Sequence, residues 1–389
     1  MRATINTLSS EFKKCRQSHF TTYASEMSAV LWALCNIKLL NANLRKRETA
    51  MRKLVCSLFA GKEKRMLRRM LKHVCSDNAF ALYDILRRYC DGNSFDTNIL
   101  SCSVERLADI QREVELSFGK DLNLIPKEEK SAIFNLLKRI FDYDAFREGK
   151  VLELGKDGAV RWRQCKANSW SGGDFVRILN PVVKYCPYCN ADTIYAVKIC
   201  GRRVLPYASA LDHFMPRSHF PYFGISLCNL VPSCTRCNSS LKGDSVVTFA
   251  DAPHPYRDNV YGNFRFYVTA HSITSIGQDC DFDISVKYMG GMAQQNKAKH
   301  LFDDVLHIGD VYNQLFKRET LDVIKKLRLL TKPYISGVFG GLLSGRNDLK
   351  CLVPELLVPN DCMPTYRFSK LTKDMAVQFG VMARALFGG

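Results

Sequence analysis

The spacing of apolar residues predicts helices through the first 150 residues. Apolar side chains return every three or four positions in segments such as NAFALYDILRRYC (78–90) and SAIFNLLKRIFDYDAF (131–146). This is the period of a helix with one buried face. The second segment follows Pro126 and two acids, which together favour a helix start. We therefore predict a basic helical domain over residues 1–150.

The pattern changes from helical to alternating near residue 151. The stretch VLELGKDGAVRWRQ (151–164) alternates around a Lys-Asp-Gly turn. It predicts a β-hairpin within a linker at 151–175. A cysteine-rich domain follows at 176–260. Beyond it, FRFYVTAHSITSI (264–276) and DFDISVKYMGG (281–291) predict strands, and KHLFDDVLHIGDVYNQLFKRETLDVIKKLRLL (299–330) returns to the helical period. The region 261–389 is thus predicted to hold strands and then helices, in an α+β chain.

The longest apolar stretch does not predict a membrane span. SAVLWALCNIKLL (28–40) is too short, contains Lys38, and lies too far from the first residue for the core of a signal peptide. It predicts a buried helix in a cytoplasmic protein without a membrane partner. The chain also lacks the G-x-x-x-x-G-K-[ST] phosphate loop, so a nucleotide-driven step would need another chain.

The charge balance favours a polyanionic partner. The 56 Lys and Arg residues outnumber the 38 Asp and Glu residues, giving a formal net charge of +18. Such an excess favours nucleic acid or an acidic membrane surface, although a basic protein without such a partner stays possible on charge alone. The densest basic run is LRKRETAMRKLVCSLFAGKEKRMLRRMLKHVC (44–75). It predicts two helices whose outer faces are either simply solvated or contact a nucleic-acid backbone.

Two cysteine pairs have the spacing of metal ligands. Cys186 and Cys189 form one C-x2-C pair, and Cys234 and Cys237 form another. Two such pairs can place four thiolates around one tetrahedral ion. In a reducing compartment this set predicts a structural zinc ion, which stabilises the folded region by about 10–16 kcal/mol. Most of the other cysteines are scattered singly, as is typical of buried thiols.

A redox protein is the alternative interpretation of the first pair. The sequence Cys186-Pro187-Tyr188-Cys189 also matches the glutaredoxin motif. That family requires a helix running on from the second cysteine. Here Cys189 is followed by two β-like runs and then by the second cysteine pair. The sequence therefore favours zinc.

An acid and a histidine lie between the two pairs. Asp212 and His213 are adjacent, and Asn238 follows the last cysteine of the second pair. A carboxylate and an amide oxygen are hard ligands suited to Mg²⁺, which keeps its other positions for water and phosphate oxygens. Because strand residues alternate, His213 is expected to point away from Asp212, where it could not easily share the metal but could lie beside it as a base.

These residues together resemble the His-Asn-His (HNH) endonucleases, or ββα-metal nucleases, in their four-cysteine zinc form. Within that superfamily the arrangement is similar to the recombination endonuclease VII type, with Asn in place of the final histidine. The longer phrase DHFMPRSHFPYFGISLCNLVPSCTRCNSSLKGD (212–244) resembles the HNH effectors of bacterial anti-phage systems, some of which work beside an ATPase. The likeness covers roughly residues 180–260 and neither flank. It implies a zinc-stabilised ββα-metal core flanked by mainly helical regions.

The resemblance also implies a role for each matching residue. His213 is expected to be the general base, Asp212 and Asn238 to hold a catalytic Mg²⁺ or Mn²⁺, and Asn229 to brace the loop that carries the base. Lys242 and Arg236 are further candidates for contacts with substrate phosphates. Each residue also has a purely structural interpretation: Asn229 in particular could cap a turn. His219, Cys200, Cys228 and His254 are expected to have no role in the chemistry.

The sequence therefore predicts a metal-dependent endonuclease that hydrolyses phosphodiester bonds in nucleic acid, DNA more than RNA. On resemblance alone it is also expected to act in anti-phage defence, with a regulatory ATPase or other defence subunit as a possible partner. The alternative is a zinc-stabilised nucleic-acid-binding or adaptor subunit with a vestigial nuclease site. The presence of Asp212, His213 and Asn238 together argues against decay, since a binding module does not need all three.

Overall fold

The N-terminal region is built from amphipathic helices, as the apolar period predicts. The computed structural model describes residues 5, 9–40, 43–91, 94–164, 170–196, 209–272, 280–328 and 360–379. The first helices are α1 (Ser10–Leu40), α2 (Leu44–Val55), α3 (Glu63–Val74), α4 (Asp77–Cys90), α5 (Val104–Phe118), α6 (Lys127–Ile140) and α7 (Tyr143–Arg147). Ser76 and Ser103 cap α4 and α5 by accepting hydrogen bonds from backbone N–H groups of the first turn.

Two helical segments differ from their predicted form. The segment 131–146 is split between α6 and α7, because the Asp142 carboxylate accepts hydrogen bonds from the N–H groups of Asp144 (2.9 Å) and Ala145 (3.2 Å) and starts a new helix. The segment 28–40 lies within α1 but is only partly buried, with Trp32 53% and Leu39 80% exposed. No helix in the described parts of the chain is both long and apolar enough to cross a membrane.

The strands pair as antiparallel hairpins. The described strands are β1 (Lys150–Leu154), β2 (Val160–Gln164), β3 (Ala210–His213), β4 (Leu230–Ser233), β5 (Phe264–Ala270) and β6 (Phe282–Tyr288). They form three two-stranded sheets within the described residues, β1 with β2, β3 with β4 and β5 with β6. The predicted hairpin at 151–164 is thus confirmed, and the two predicted strands after residue 260 are confirmed as β5 and β6, while 273–276 of the first predicted segment lie outside the described residues. The mixture of helices and small antiparallel sheets is of the α+β class.

Short helices complete the second half of the chain. They are α8 (Gly172–Leu179), a π-helix at Arg236–Lys242, α9 (Met292–Lys299) running into a second π-helix at His300–Val305, α10 (Ile308–Leu315), α11 (Lys317–Arg328) and α12 (Ser369–Gln378). The helical period predicted over 299–330 is confirmed up to Arg328. Helix α12 docks on β5, where Asp374 and Gln378 accept hydrogen bonds from the backbone of Phe266 and Val268 (both 2.9 Å).

A buried histidine joins α1 to the loop between β3 and β4. His19 Nε2 donates to the Ile225 carbonyl (2.7 Å), because a carbonyl can only accept, and Nδ1 accepts from the Trp170 indole (2.8 Å). Burial lowers the pKa of His19 to about 3, so the ring stays neutral near pH 7. Buried apolar residues from both halves of the chain belong to one connected cluster. The helical region therefore supports the loop beside the predicted site.

Candidate functional site

Four cysteines from two distant segments meet in one buried cluster. Cys186 and Cys189 lie in a turn before β3, whereas Cys234 and Cys237 lie where β4 meets the first π-helix. All four are buried, and their sulfur atoms lie within 4.8 Å of one another. None forms a disulfide. The cluster can hold a metal ion such as zinc.

The spacing of the sulfur atoms fits a tetrahedral ion. A tetrahedral Zn²⁺ with Zn–S bonds of about 2.3 Å holds its sulfur atoms about 3.8 Å apart, and Cys189 Sγ lies 3.9 Å from Cys234 Sγ. The Cys237 N–H also points at Cys234 Sγ (3.4 Å), a contact that stabilises a thiolate. The glutaredoxin alternative needs a helix after Cys189, and the described residues 190–196 contain none.

The β3–β4 hairpin and the first π-helix bring the predicted residues to one cleft. Asp212 pairs with Val231, and His213 pairs with Leu230, across the two strands. The open cleft beside them has a volume of about 470 Å³. Its lining includes Asp212, His213 and Asn238, together with Tyr143, Asp144, Arg147 and Arg217. Three residues that the sequence assigns to catalysis therefore lie at one cleft, although Asp212 is itself buried.

The orientation of the His213 ring is fixed by a backbone carbonyl. His213 Nε2 lies 2.8 Å from the Gly224 oxygen, and because that oxygen can only accept, Nε2 carries the proton. Burial lowers the pKa of His213 to about 4, a shift that the bond to Gly224 opposes. The ring is therefore neutral near pH 7, and Nδ1 is its basic nitrogen. The Tyr143 ring packs edge-on against the imidazole, with centroids 4.7 Å apart.

Gly224 is required where the loop touches the helical region. A Cβ atom built on Gly224 would lie 2.5 Å from the Phe141 carbonyl oxygen, which belongs to the backbone at the end of α6. Only glycine permits this close approach. The carbonyl that orients His213 is thus itself positioned by the N-terminal helices.

Asp212 is buried and bound on both of its oxygens. Oδ1 accepts from Lys242 Nζ (2.9 Å), and Oδ2 accepts from the Tyr188 hydroxyl (2.6 Å). Lys242 Nζ also donates to the His213 carbonyl (2.7 Å). Tyr188 lies between the two cysteines of the first pair, so the acid is directly linked to the cysteine cluster.

The two candidates for phosphate contacts, Lys242 and Arg236, are both engaged in ion pairs within the chain. Lys242 points inward and is 2% exposed, because its ammonium neutralises the buried carboxylate of Asp212. Arg236 lies outside the cleft, where it donates to Asp192 (2.5 Å) and stands over the Phe316 ring at 5.0 Å. Lys242 is instead placed to hold Asp212 and the backbone of β3.

The two asparagines occupy different environments. Asn229 is fully buried, and its side chain donates to the Met215 and Phe223 carbonyls (3.1 and 3.3 Å) and accepts from the Met215 N–H (2.9 Å). It therefore clamps the loop that follows His213, as expected of a bracing residue, and does not line the cleft. Asn238 lies at the cleft, where Nδ2 donates to Ser239 Oγ (3.3 Å). No contact with a described residue engages its amide oxygen.

One wall of the cleft was not predicted. Tyr143, Asp144 and Arg147 come from α7, in the helical region, and Arg217 Nη1 pairs with Asp144 Oδ2 (3.4 Å) across 73 positions of sequence. No local motif marks these residues, because their position depends on how α7 packs against β3. Of the residues expected to have no role, His219 and His254 do not line the cleft, Cys228 is buried, and Cys200 lies outside the described residues.

We expect the Lys242–Asp212 pair to be strongly coupled. Lys242→Met should lower the free energy of unfolding by about 3–5 kcal/mol, because it leaves a buried carboxylate without its counter-charge. Asp212→Asn should cost a similar amount, and the double variant should cost clearly less than the sum. Urea unfolding at fixed zinc concentration measures all three. The exposed pair of Lys38 and Asp77 (3.2 Å) is the matched control, with an expected coupling of about 0–1 kcal/mol. Equal coupling in the two pairs would contradict the buried ion pair.

Part of the chain is similar to a curated phage protein. The chain is 42% identical over 158 residues to Protein ea31 of Escherichia phage lambda. The match covers 36% of this chain and 49% of the relative, so the chain spans about half the length of the curated protein it matches. No protein-family model matches the chain, and no solved structure matches it.

Proposed function

We propose that this protein is an HNH-type endonuclease that hydrolyses phosphodiester bonds in nucleic acid, with DNA the favoured substrate. The observation that carries the proposal is the position of His213 at the cleft and the protonation of its ring. Its ring lines an open cleft beside Asp212 and Asn238, and the bond from Nε2 to Gly224 leaves Nδ1 as the basic nitrogen. Two antiparallel strands followed by a short helix, with a cysteine pair at that junction, give further support.

His213 performs the proton transfer in this proposal. Nδ1 takes a proton from a water molecule aligned with the scissile phosphodiester, and the water oxygen attacks phosphorus as the bond to the leaving oxygen breaks. Tyr143 packs against one side of the imidazole and the Gly224 carbonyl holds Nε2. These contacts restrict the ring to one orientation, so that Nδ1 is positioned before substrate arrives.

Asp212 and Asn238 would hold a catalytic Mg²⁺ or Mn²⁺. Asp212 accepts one hydrogen bond on each oxygen, and a carboxylate has about four lone-pair sites, so acceptor capacity remains. The amide oxygen of Asn238 supplies a second hard ligand at the same cleft. A bound divalent ion supplies Lewis-acid stabilisation of charge on the phosphate and on the leaving oxygen. The nearby Lys242 ammonium weakens cation binding at Asp212, and we therefore expect a modest affinity for the ion.

The four cysteines would hold a structural zinc ion. Zinc at this position fixes the turn that carries Tyr188, whose hydroxyl holds Asp212. It also fixes the start of the π-helix that carries Asn238 and Lys242. On the resemblance to HNH effectors we further propose a role in anti-phage defence in the cytoplasm, with a regulatory ATPase as a candidate partner.

The test is a cleavage assay with four substrates. Purified protein is incubated with supercoiled plasmid, linear duplex DNA, single-stranded DNA and total RNA, in Mg²⁺, Mn²⁺ or EDTA. We expect cleavage of DNA that requires the divalent ion. Asn238→Ala should raise the Mg²⁺ concentration needed for half-maximal rate at least about tenfold, since it removes one ligand, whereas Asn238→Asp should retain an oxygen ligand and activity.

Two results would contradict the proposal. Cleavage that persists in EDTA would exclude the catalytic role of a divalent ion. Tight DNA binding without cleavage of any substrate, in either metal and with the wild-type chain, would favour the zinc-stabilised binding subunit instead.

A further inference from the structure

A second depression adjoins the cleft that contains His213. It has a volume of about 170 Å³ and lies between α3, α6 and the loop after β3. The residues that line it are Met66, Asn135, Lys138, Arg139, Asp142, Asp144 and Arg217. Asp144 and Arg217 line both depressions, so the two adjoin at this ion pair, and we refer to them together as the channel.

Asp142, Asp144 and Asp212 of this channel are engaged, whereas Asp244 at the cleft is exposed and, like two of the channel's cations, forms no ion pair with a described residue. Asp142 caps α7, and Asp144 pairs with Arg217. Lys138, which is half-buried, and Arg147, which is exposed at the cleft, form no ion pair with a described residue. The pKa of Lys138 is lowered by burial and by the nearby Arg217, with Asp244 opposing the shift. An anion in the channel would relieve the repulsion between these cations.

The channel leads to the most basic surface of the helical region. Met66 of α3 lines the smaller depression. Arg69 follows it by three positions on the same face of α3, and Lys62, the residue just before α3, precedes it by four. The exposed cations of α2 and α3 are Arg45, Lys46, Arg52, Lys53, Lys64, Arg65, Arg68, Arg69 and Lys72. None of these makes an ion pair among the described residues. The exposed cations of this run therefore have no counter-charge among the described residues, and those nearest Met66 lie beside the channel.

We propose that this channel is the track for the substrate strand, along which the sugar-phosphate backbone runs from the scissile bond at His213 to the basic face of α3. This inference rests on the proposed nuclease function and deepens it, because it gives the N-terminal helices a direct part in binding. Arg147 and Lys138 lie on opposite sides of Arg217 along the track and bind phosphates that flank the scissile one. These contacts position the strand and do not read its sequence.

Binding measurements at several salt concentrations test the track. A fluorescent DNA duplex is titrated with the His213→Ala protein, which should bind without cutting, and with the same protein carrying Arg147→Gln and Lys138→Gln. We expect the two added substitutions to raise Kd at least roughly tenfold. The slope of log K against log salt should fall in magnitude by about 1.8, since two phosphate contacts are lost. The matched control carries Lys297→Gln and Lys299→Gln on α9, which lines neither depression, and should change neither quantity.

Four results would overturn the inference. The first is an unchanged Kd and salt slope, which would leave the nuclease proposal intact. The second is an equal loss of affinity in the α9 control, which would indicate a general charge effect. The third is binding of polyglutamate with the same dependence on Arg147 and Lys138, which would favour an acidic protein as the occupant. The fourth is that the His213→Ala protein binds no nucleic acid. Cleavage by the wild-type protein is then judged by its own assay. If Lys138→Gln impairs folding, Arg147→Gln alone should lower the slope by about 0.9.

Discussion

Cys237→Ala should abolish zinc binding and leave the region around the cleft unfolded. A structural zinc ion of this type contributes about 10–16 kcal/mol, which is comparable to or larger than the net stability of a typical domain, about 5–15 kcal/mol. Cys237 is buried at the start of the π-helix, among the other three cysteine sulfurs. We expect less than one zinc per chain by elemental analysis, a lower unfolding temperature and poor solubility.

Cys228→Ala is the matched control for this substitution. Cys228 is also a buried cysteine, in the short helical turn before β4, but it is not part of the four-sulfur cluster. Its loss should leave the zinc content unchanged and cost only about 1 kcal/mol, as for a small buried side chain. A soluble Cys237→Ala protein without zinc that still cuts nucleic acid would disprove the structural role of the ion.

Loss of zinc should also affect residues outside the cluster, because β3 and α10 are both hydrogen-bonded to the turn that contains Cys186 and Cys189. Tyr188, inside that turn, donates to Asp212, and Tyr312 of α10 donates to the Cys189 carbonyl (2.6 Å). The backbone of Asn190, just after Cys189, also accepts from the Phe368 N–H (2.8 Å). Loss of zinc should therefore perturb the buried acid and the C-terminal helices together.

The local elements of this chain follow from its sequence because their causes are local. The alternation around Lys156-Asp157-Gly158 predicts the β1–β2 hairpin, and the two C-x2-C spacings predict the cysteine cluster. The segment 131–146 is helical as predicted, but it is divided into α6 and α7 for a similarly local reason, since Asp142 is a strong N-cap in the middle of an apolar run. Caps inside a periodic segment are easy to overlook when the period dominates the pattern.

The long-range contacts of the site do not follow from the sequence. Lys242 turns inward because it pairs with the buried Asp212, whereas the position of a lysine one turn after Asn238 is equally compatible with an exposed side chain. The wall formed by α7 depends on the packing of Phe141 against Gly224. The spacing of residues in the sequence does not predict this contact. These contacts engage Lys242 and Arg236 in ion pairs, whereas Arg147 and Lys138 form none with a described residue.

His213→Gln should lower the rate of cleavage by about 10²–10⁴-fold, the usual contribution of a positioned general base. Glutamine can still donate to the Gly224 carbonyl and fill part of the space beside Tyr143, but its amide has no basic nitrogen. Zinc content, unfolding temperature and DNA affinity should therefore stay close to those of the wild-type protein. Single-turnover cleavage of a labelled duplex in saturating Mg²⁺ measures the chemical step without product release.

His219→Gln provides the control in the same loop. His219 is six residues further along, contacts Ser218 (3.1 Å) and does not line the cleft, so its replacement should leave the rate unchanged. If His213→Gln cuts at the wild-type rate, the base is not His213, whatever the metal requirement. If both variants lose activity equally while their unfolding temperatures fall, the effect belongs to the loop that Asn229 clamps. A loss confined to His213→Gln, with folding and binding intact, assigns proton transfer to its imidazole.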